Sequence, residues 1–213
     1  MPVKDLVEAK QRLVPALTPE QRRALAAAML EDVLGALAAA RLDAVWVVTR
    51  DAAVTAIARR FGATAVTEAE NRGHTAAVAA AQARARAEGV SLFATIPGDV
   101  PCVTAAEVDA LLDAVTGAPA VAFAASRSGA GTNGVAMTPA DAMPLRFGEP
   151  SFDDHLAAAR ARGLTPRALT LPGLELDIDG PEDLELVRSG RAGTHTARLV
   201  AGWDAARPRA RAC

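Results

Sequence analysis

Residues 91–101, SLFATIPGDVP, lead an apolar strand directly into a turn that carries a carboxylate. A Pro-Gly pair bends the chain after the strand and Pro101 keeps the residue before it extended, so Asp99 is held at the strand's carboxyl end. In an α/β sheet, ligands bind beyond the carboxyl ends of the strands, where an aspartate can share a cation with a bound phosphate. The alternative for this stretch alone is an aspartate that only caps its own turn.

A second apolar run, residues 174–184 with the sequence LELDIDGPEDL, ends in the same kind of acidic turn. Asp177 and Asp179 alternate along an extended segment, so both side chains are expected on one face, where they can approach one cation together. The alternative is that Asp179 serves only as the N-cap of the helix that Pro181 opens. Two such turns in one chain predict a divalent-metal site formed by these two aspartates and Asp99.

Capping and breaking residues divide the chain into alternating strands and helices. The segment Thr18-Pro19-Glu20-Gln21, for example, combines an N-cap, a first-turn proline and a glutamine three residues after the cap. The predicted helices span 19–40, 51–61, 73–87 and 151–161, and two more begin near residues 104 and 181. The predicted strands span 1–3, 44–49, 64–66, 91–96, 120–124, 134–137, 167–171 and 174–178.

This alternation predicts an α/β fold, a three-layer αβα sandwich around a mostly parallel sheet. Right-handed βαβ crossovers place the helices on both faces of such a sheet. The active edge is then formed by the loops that follow Val3, Val66, Ile96 and Ile178.

The composition favours one domain that binds a small ligand. Of the 213 residues, 51% are hydrophobic, enough for a full core, and only 3% are aromatic, with no tyrosine. With a formal net charge of −2, this argues against a base-stacking nucleic-acid platform and a membrane-surface protein. We expect residues 1–190 to form the domain and the arginine-rich residues 191–213 to form a partly ordered basic tail.

The two cysteines favour a reducing, cytoplasmic location. Cys102 and Cys213 lie far apart, and neither belongs to a C-x-x-C or Cys/His cluster that would bind zinc. Without a visible base partner, Cys102 is expected to be a packing residue and not a nucleophile. Neither a long apolar run nor a charged-then-apolar leader is visible in the sequence, so neither membrane spanning nor secretion is expected.

Three cations, Lys4, Lys10 and Arg12, follow the predicted first strand. Convergent lysine and arginine side chains after a strand can grip a nucleoside triphosphate through charge-assisted hydrogen bonds. The alternative is a solvated basic loop. The segment lacks the G-x-x-x-x-G-K-[ST] pattern, which excludes a P-loop.

A second anion site is predicted from Gly131-Thr132-Asn133-Gly134 and from residues 146–152, RFGEPSF. Glycines let backbone N–H groups approach an anion closely, and Ser151 opens a helix whose N-terminus favours negative charge. The alternative is that these residues serve only to form turns and a helix cap. His155, on the first turn of that helix, is placed to reach the same anion, but it is expected to be a surface histidine.

At these motifs the chain resembles the 2-phospholactate guanylyltransferase family, which makes the GTP-derived intermediate of the deazaflavin coenzyme F-420. The matching stretches run from residue 2 to about residue 188. The basic start and both acidic turns recur in many GT-A-like nucleotidyltransferases, whereas Gly-Thr-Asn paired with Arg-Phe-Gly-x-x-Ser-Phe is the specific part. Gly73-His74-Thr75 stands where family members usually carry Gly-Leu-Asn.

The resemblance implies a GT-A-like fold and a magnesium-dependent transfer of GMP from GTP to the phosphate of a three-carbon phospho-acid, with release of pyrophosphate. The acceptor would be phospholactate, phosphoenolpyruvate or 3-phosphoglycerate. Carried over by motif, the metal ligands are Asp99, Asp177 and Asp179, the nucleotide is bound by Lys4, Lys10, Arg12 and Gly73, and the acceptor is bound by Thr132, Arg146, Gly148 and Ser151. The resemblance places Asp99, Lys10 and Arg12 in catalysis.

Two other functions stay open at this point. A sugar-1-phosphate or molybdopterin nucleotidyltransferase on the same scaffold is disfavoured by the segment from Arg146 to Ser151. A non-catalytic nucleotide-binding protein is disfavoured because the acidic, basic and acceptor elements occur together. The expected partners are GTP and a small phospho-acid, without nucleic acid or membrane, and a homodimer is left open.

Overall fold

The computed structural model describes residues 1–67, 72–117, 119–189 and 193–206. The helices are α1 (Pro19–Ala39), α2 (Ala52–Arg60), α3 (His74–Ala87), α4 (Ala105–Asp113), α5 (Phe152–Arg160), α6 (Pro172–Glu175), α7 (Pro181–Ser189) and α8 (His195–Ala206). The strands are β1 (Trp46–Thr49), β2 (Thr64–Thr67), β3 (Phe93–Thr95), β4 (Ala120–Ala125), β5 (Thr132–Thr138) and β6 (Arg167–Leu169).

The strands form a two-stranded sheet and a four-stranded sheet. β1 and β2 pair in parallel, with Trp46 opposite Thr64. The second sheet has the order β3-β5-β4-β6. There β4 and β6 are parallel, whereas β5 runs antiparallel to both of its neighbours.

The predicted first strand is represented by a short extended segment beside β1. The Val3 N–H donates to the Val48 carbonyl at 3.0 Å, and the Val48 N–H donates to the Met1 carbonyl at 2.9 Å. Gly98 lies on the other side of this segment, since a Cβ added there would meet a Val3 methyl carbon at 3.3 Å. The start of the chain therefore runs between β1 and the turn that carries Asp99.

Apolar side chains on both faces of the sheets create two core clusters. Along β4, Val121 and Phe123 pack with Val78 of α3, whereas Ala122 and Ala124 belong to the cluster around α1, α4 and α7. This is the two-residue alternation that a strand imposes on its side chains. Helices thus cover both faces, and the predicted α/β sandwich is confirmed.

The strand predicted over residues 174–178 is wrong. Pro172 opens the short helix α6 instead, with proline at its first turn. Proline lacks the N–H that a sheet ladder needs but suits a first helical turn. Gly173 packs closely against the Cys102 carbonyl and donates its N–H to a Glu107 carboxylate oxygen at 2.6 Å, which fixes this turn against α4.

Helix α8 lies in a region where the sequence patterns indicated no helix. Asp32 of α1 accepts hydrogen bonds from the backbone N–H groups of His195 and Thr196 at 2.7 and 2.8 Å, so a distant carboxylate caps this helix. The predicted tail residues 191–192 and 207–213 lie outside the described residues. None of the helices in the described part of the chain is long and apolar enough to cross a bilayer.

Candidate active site

The structure brings the basic start of the chain onto both acidic turns. Lys10 Nζ donates to Asp99 Oδ2 at 2.7 Å and to Asp179 Oδ1 at 3.0 Å. Arg12 Nη1 lies 3.5 Å from the second Asp179 oxygen. One ammonium group therefore joins two carboxylates that are far apart in the sequence.

Backbone geometry directs Lys10 inward. Its φ of 56° and ψ of 46° place it in the left-handed region, just before the 3₁₀ helix Gln11–Leu13, a conformation uncommon for a residue other than glycine. The Lys10 side chain is only 9% exposed, whereas the Arg12 side chain is 78% exposed. Lys10 is thus part of the site's interior, and Arg12 lies at its rim.

The charges of Lys10 and Asp99 stabilise each other. Burial alone would lower the pKa of Lys10, but the carboxylates of Asp99 and Asp179 outweigh it and raise that pKa. Burial would likewise raise the pKa of Asp99, and the Lys10 ammonium holds it below its ordinary value instead. Both side chains are therefore ionised at neutral pH.

The two acidic turns are also joined through the backbone. The Ile178 N–H donates to the Asp99 carbonyl at 3.1 Å. Asp177 accepts a hydrogen bond from Asn133 Nδ2 at 3.1 Å, and the same amide donates to the Leu174 carbonyl at 2.9 Å. Burial raises the pKa of Asp177, and the nearby negative charges of Asp99 and Asp179 act in the same direction.

The first turn of the helix that follows Asp179 is tied back to the acidic turn by Asp183. Asp183 accepts hydrogen bonds from the N–H groups of Asp179 and Gly180 at 2.9 and 2.8 Å. The Asp183 carboxylate also binds Arg127, at 2.9 Å. The Asp179 carboxylate meanwhile faces Lys10 and Arg12.

The donor set of this cluster suits a hard divalent cation. Within the described residues, no three His, Cys, Asp or Glu side chains already form a metal-binding group. Asp99 and Asp179 nevertheless converge on a single point, which the Lys10 ammonium now takes. Mg²⁺ is usually held by one or two carboxylates together with waters and substrate phosphates, so two convergent carboxylates are sufficient.

A small pocket lined in part by Lys4 and Gly73 also contains His74, on whose ring the charge of Asp99 acts. It lies between the start of the chain, the end of β1 and the beginning of α3, and it is lined by Pro2, Val3, Lys4, Asp5, Val48, Arg50, Gly73, His74 and Ala77. Gly73 has φ of 91°, a conformation that side chains rarely adopt. Burial lowers the pKa of His74 to about 4. The positive charge of Lys4 acts in the same direction, and the negative charge of Asp99 opposes it.

The predicted acceptor residues divide into a buried pair and an exposed pair. Thr132 and Ser151 are 7% and 3% exposed, and Ser151 Oγ donates to Thr132 Oγ1 at 3.1 Å. Arg146 and Gly148 are exposed. The Ser151 and Phe152 N–H groups at the start of α5 both donate to the Ala130 carbonyl, at 2.8 and 3.0 Å, so these two helix N-terminal donors already have a partner.

The expectation that His155 is a surface histidine is wrong. The residue is 2% exposed, and its ring stacks on Phe123 with centroids 5.4 Å apart. Its position on the inner face of α5 places it over β4.

Sequence reasoning also missed Thr75 and the role of Asn133. Thr75 Oγ1 accepts the Phe147 N–H at 2.9 Å, a contact across 72 positions that no local pattern indicates. Asn133 belongs to the Gly-Thr-Asn motif, but its amide binds Asp177 across 44 positions. The motif marked Asn133 as a candidate site residue, but nothing in the sequence indicated that its partner is Asp177.

The chain is similar to known guanylyltransferases over most of its length. Residues 1–200 match the family model described as "Guanylyl transferase CofC like". A phosphoenolpyruvate guanylyltransferase of Rubrobacter xylanophilus is 38% identical over 184 residues, covering 86% of this chain and 89% of the relative. A 2-phospho-L-lactate guanylyltransferase of Methanothermobacter thermautotrophicus is 38% identical over 201 residues, covering 94% and 87%.

Solved structures share the fold at much lower sequence identity. A nucleotidyl transferase from Methanothermobacter thermautotrophicus has a TM-score of 0.59 at 20% identity, covering 80% of this chain and 81% of that one. A CMP:2-keto-3-deoxy-manno-octonic acid synthetase has a TM-score of 0.56 at 17% identity, covering 88% and 95%. These likenesses confirm the nucleotidyltransferase fold.

Proposed function

The chain belongs to the family of CofC-like guanylyl transferases, and we propose that it transfers GMP from GTP to the phosphate of a three-carbon phospho-acid, releasing pyrophosphate. The acceptor is phosphoenolpyruvate, 2-phospholactate or 3-phosphoglycerate, and the product is an intermediate in coenzyme F-420 biosynthesis. The observation that carries the proposal is the convergence of Lys10, Asp99 and Asp179 beside Arg12 and the Lys4 pocket. That cluster combines the charges needed for a triphosphate and its counter-ion.

The reaction needs no general base. A phosphate monoester with a second pKa near 6 is mostly dianionic at neutral pH, so no proton has to leave the nucleophile. An acceptor phosphate oxygen forms a bond to the α-phosphorus of GTP, and the bond from that phosphorus to the β-phosphate bridging oxygen breaks. Pyrophosphate leaves with the electron pair, and catalysis rests on charge neutralisation and in-line placement of two anions that repel each other.

We assign the metal-holding role to Asp99 and Asp179, with Asp177 beside them. Lys10 Nζ contacts both Asp99 and Asp179, which supports a cation-binding position between their oxygens. A bound Mg²⁺ would supply positive charge that stabilises the negative charge developing on the triphosphate. Asn133 holds Asp177 in place through its amide.

The cations Lys4, Lys10 and Arg12 are assigned to the triphosphate of GTP. Lys4 and Arg12 are exposed at the edge of the cluster and are able to reach a bound nucleotide. Lys10 already carries a full positive charge because Asp99 and Asp179 raise its pKa. Gly73 brings backbone close to the same pocket without a side chain, which supports its assignment to nucleotide binding.

The acceptor is assigned to Thr132, Arg146, Gly148 and Ser151. Arg146 and Gly148 are exposed and are the ones we expect to contact the acid directly, the arginine through a charge-assisted hydrogen bond. Thr132 and Ser151 are buried and hydrogen-bonded to each other. Their part is to fix the shape of the acceptor site from within.

A turnover panel tests the proposal. Pyrophosphate release is measured with each of GTP, ATP, CTP and UTP against the three phospho-acids and against a hexose-1-phosphate, with Mg²⁺ present. We expect release that requires GTP and one of the three-carbon acceptors. Release with the hexose-1-phosphate alone would establish a sugar nucleotidyltransferase, and binding of GTP without any release would establish a non-catalytic nucleotide-binding protein.

A further inference from the structure

Two side chains from different helices hold the backbone of the segment at residues 146–151, here called the acceptor loop. Thr75 of α3 accepts the Phe147 N–H at 2.9 Å, and its hydroxyl lies 3.4 Å from the Phe147 carbonyl oxygen. His155 of α5 accepts the Arg146 N–H on its Nε2 atom, at 3.0 Å. Two consecutive residues of the loop are therefore fixed from two helices.

The hydrogen-bond pattern defines the state of the His155 ring. A neutral imidazole has one N–H and one acceptor nitrogen. Because Nε2 accepts from Arg146, Nδ1 carries the hydrogen and donates to Thr132 Oγ1, which lies 3.0 Å away. His155 thus connects the acceptor loop to the first residue of β5 through a single tautomer.

Aromatic packing holds this connection rigid. The His155 ring is parallel to Phe123 within 5° and meets Phe147 edge-on at 70°, with both centroid distances 5.4 Å. Phe147 in turn packs against His74, with ring centroids 4.3 Å apart. Fixed hydrogen bonds and well-packed rings leave the loop backbone little freedom.

The fixed backbone lies between the two halves of the site. On one side, His74 and Thr75 follow Gly73 at the proposed nucleotide pocket, and the charge of Asp99 acts on the His74 ring. On the other side, the exposed Arg146 and Gly148 flank Phe147. The position of the Phe147 backbone consequently determines where the groups assigned to the acceptor point.

We propose that Thr75 and His155 are positioning residues that set the affinity for the acceptor by holding residues 146 and 147 of the acceptor loop. The inference rests on the proposed function and deepens its acceptor site. Neither side chain is proposed to touch the acceptor. They act by removing the ordering cost that a loose loop would otherwise add to acceptor binding.

Substitutions at Thr75 separate the hydroxyl from the shape of the side chain. Thr75→Val keeps the shape and removes the hydrogen bonds to Phe147, whereas Thr75→Ser keeps the hydroxyl and serves as the matched control. We expect Thr75→Val to raise the acceptor KM by about tenfold while the GTP KM changes by less than about twofold. Thr75→Ser should restore most of the acceptor affinity.

Substitutions at His155 test the second attachment with the same logic. His155→Gln can offer an amide oxygen near the position of Nε2 and so accept from Arg146. His155→Asn reaches only the position of Nδ1. We expect His155→Asn to raise the acceptor KM more than His155→Gln does, again with little change in the GTP KM. We also expect faster amide hydrogen exchange at residues 146 and 147 in Thr75→Val and in His155→Asn.

The outcomes distinguish a failure of the positioning roles from a failure of the proposed function. If the wild-type protein consumes no GTP with any of the three acceptors, the proposed function fails and the positioning roles fail with it. If wild-type turnover is normal, but Thr75→Val and His155→Asn leave the acceptor KM unchanged or shift both KM values equally, the positioning roles alone are overturned. A Thr75→Ser variant as impaired as Thr75→Val would overturn the role of the hydroxyl.

Discussion

The Lys10 ammonium lies 2.7 Å from the Asp99 carboxylate, although 89 positions separate the two residues in the chain. The same nitrogen contacts Asp179 at 3.0 Å. A buried cation between two carboxylates offsets a repulsion that would otherwise raise the pKa of one of them. In the proposed function, the triphosphate and its counter-ion would meet the carboxylates at this pair.

Asp99→Asn should abolish GMP transfer and leave the fold intact. The amide removes the charge that a metal ligand needs, and loss of a ligand is expected to lower the rate by about a thousandfold or more. Turnover of the purified variant is compared with its thermal melting curve. A variant that melts normally and keeps more than about a tenth of wild-type turnover would show that Asp99 is not a ligand.

Lys10→Met should make the stability of the protein depend on a divalent cation. Without the ammonium, no buried cation lies between Asp99 and Asp179, and an added divalent cation can take its place. The melting temperature is measured with chelator and with excess Mg²⁺, and the gain on adding Mg²⁺ should exceed that of the wild type.

Arg12→Met is the matched control for that experiment, because Arg12 binds Asp179 as Lys10 does but has a mostly exposed side chain. An exposed ion pair contributes little to stability. We expect Arg12→Met to melt like the wild type and to raise the GTP KM without changing the acceptor KM. An equal response to Mg²⁺ in the Lys10 and Arg12 variants would contradict the interior role of Lys10.

Asn133→Ala should raise the Mg²⁺ concentration needed for half-maximal turnover. Its amide donates to Asp177 and to the Leu174 carbonyl, and residues that orient metal ligands typically affect metal affinity by about 10-fold to 100-fold. A Mg²⁺ titration at saturating GTP and acceptor measures the effect. Unchanged Mg²⁺ dependence would mean that Asp177 needs no such support or holds no metal.

His155 should contribute an acid-sensitive part of the folding stability. Burial lowers its pKa in spite of the opposing charge of Asp154, and its other neighbours are Thr132, Phe123, Phe147 and the Arg146 backbone. The unfolded chain therefore binds the proton more tightly, so this stability is present above the unfolded pKa of about 6.5 and is lost as pH falls below it.

The measurement is the free energy of unfolding against pH for the wild type and for His155→Gln. His74 has a pKa lowered in the same direction, so the contribution of His155 is the difference between the two curves. We expect the decline of stability below about pH 6.5 to be shallower in the variant. Parallel curves would contradict a neutral, buried His155.

Local patterns predicted the layers of the fold and the two acidic turns. The apolar run that forms β4 and the capping box at Thr18 act within a few positions, and both are found in the structure. The helix α6 was not predicted, because its fixed position depends on Gly173 meeting Cys102 and Glu107. Such contacts join segments about 70 positions apart and leave no periodic signal.

The same limit applies to the candidate site. Asp99 was visible because its strand-end turn has a local sequence signature. Asp177 and Asp179 were visible through their own acidic segment, although a helix and not the predicted strand precedes it. The contact of Lys10 with Asp99 and Asp179 was not visible, and neither were the attachments of Thr75 and His155 to the acceptor loop. The partners of Thr75 and His155 are backbone N–H groups. Every residue but proline carries such a group, so the sequence does not distinguish these partners.

Phosphorus NMR of the reaction with GTP, phosphoenolpyruvate and Mg²⁺ tests the central claim most directly. Transfer of GMP onto the acceptor phosphate creates a new phosphoanhydride between two different substituents. We predict two mutually coupled phosphorus signals that grow together with pyrophosphate, as the monoester signal of the acceptor disappears, with 2-phospholactate and 3-phosphoglycerate as alternative acceptors. If GTP is consumed only when a hexose-1-phosphate is supplied, or if none of the three phospho-acids loses its monoester signal, the assignment as a three-carbon phospho-acid guanylyltransferase is contradicted.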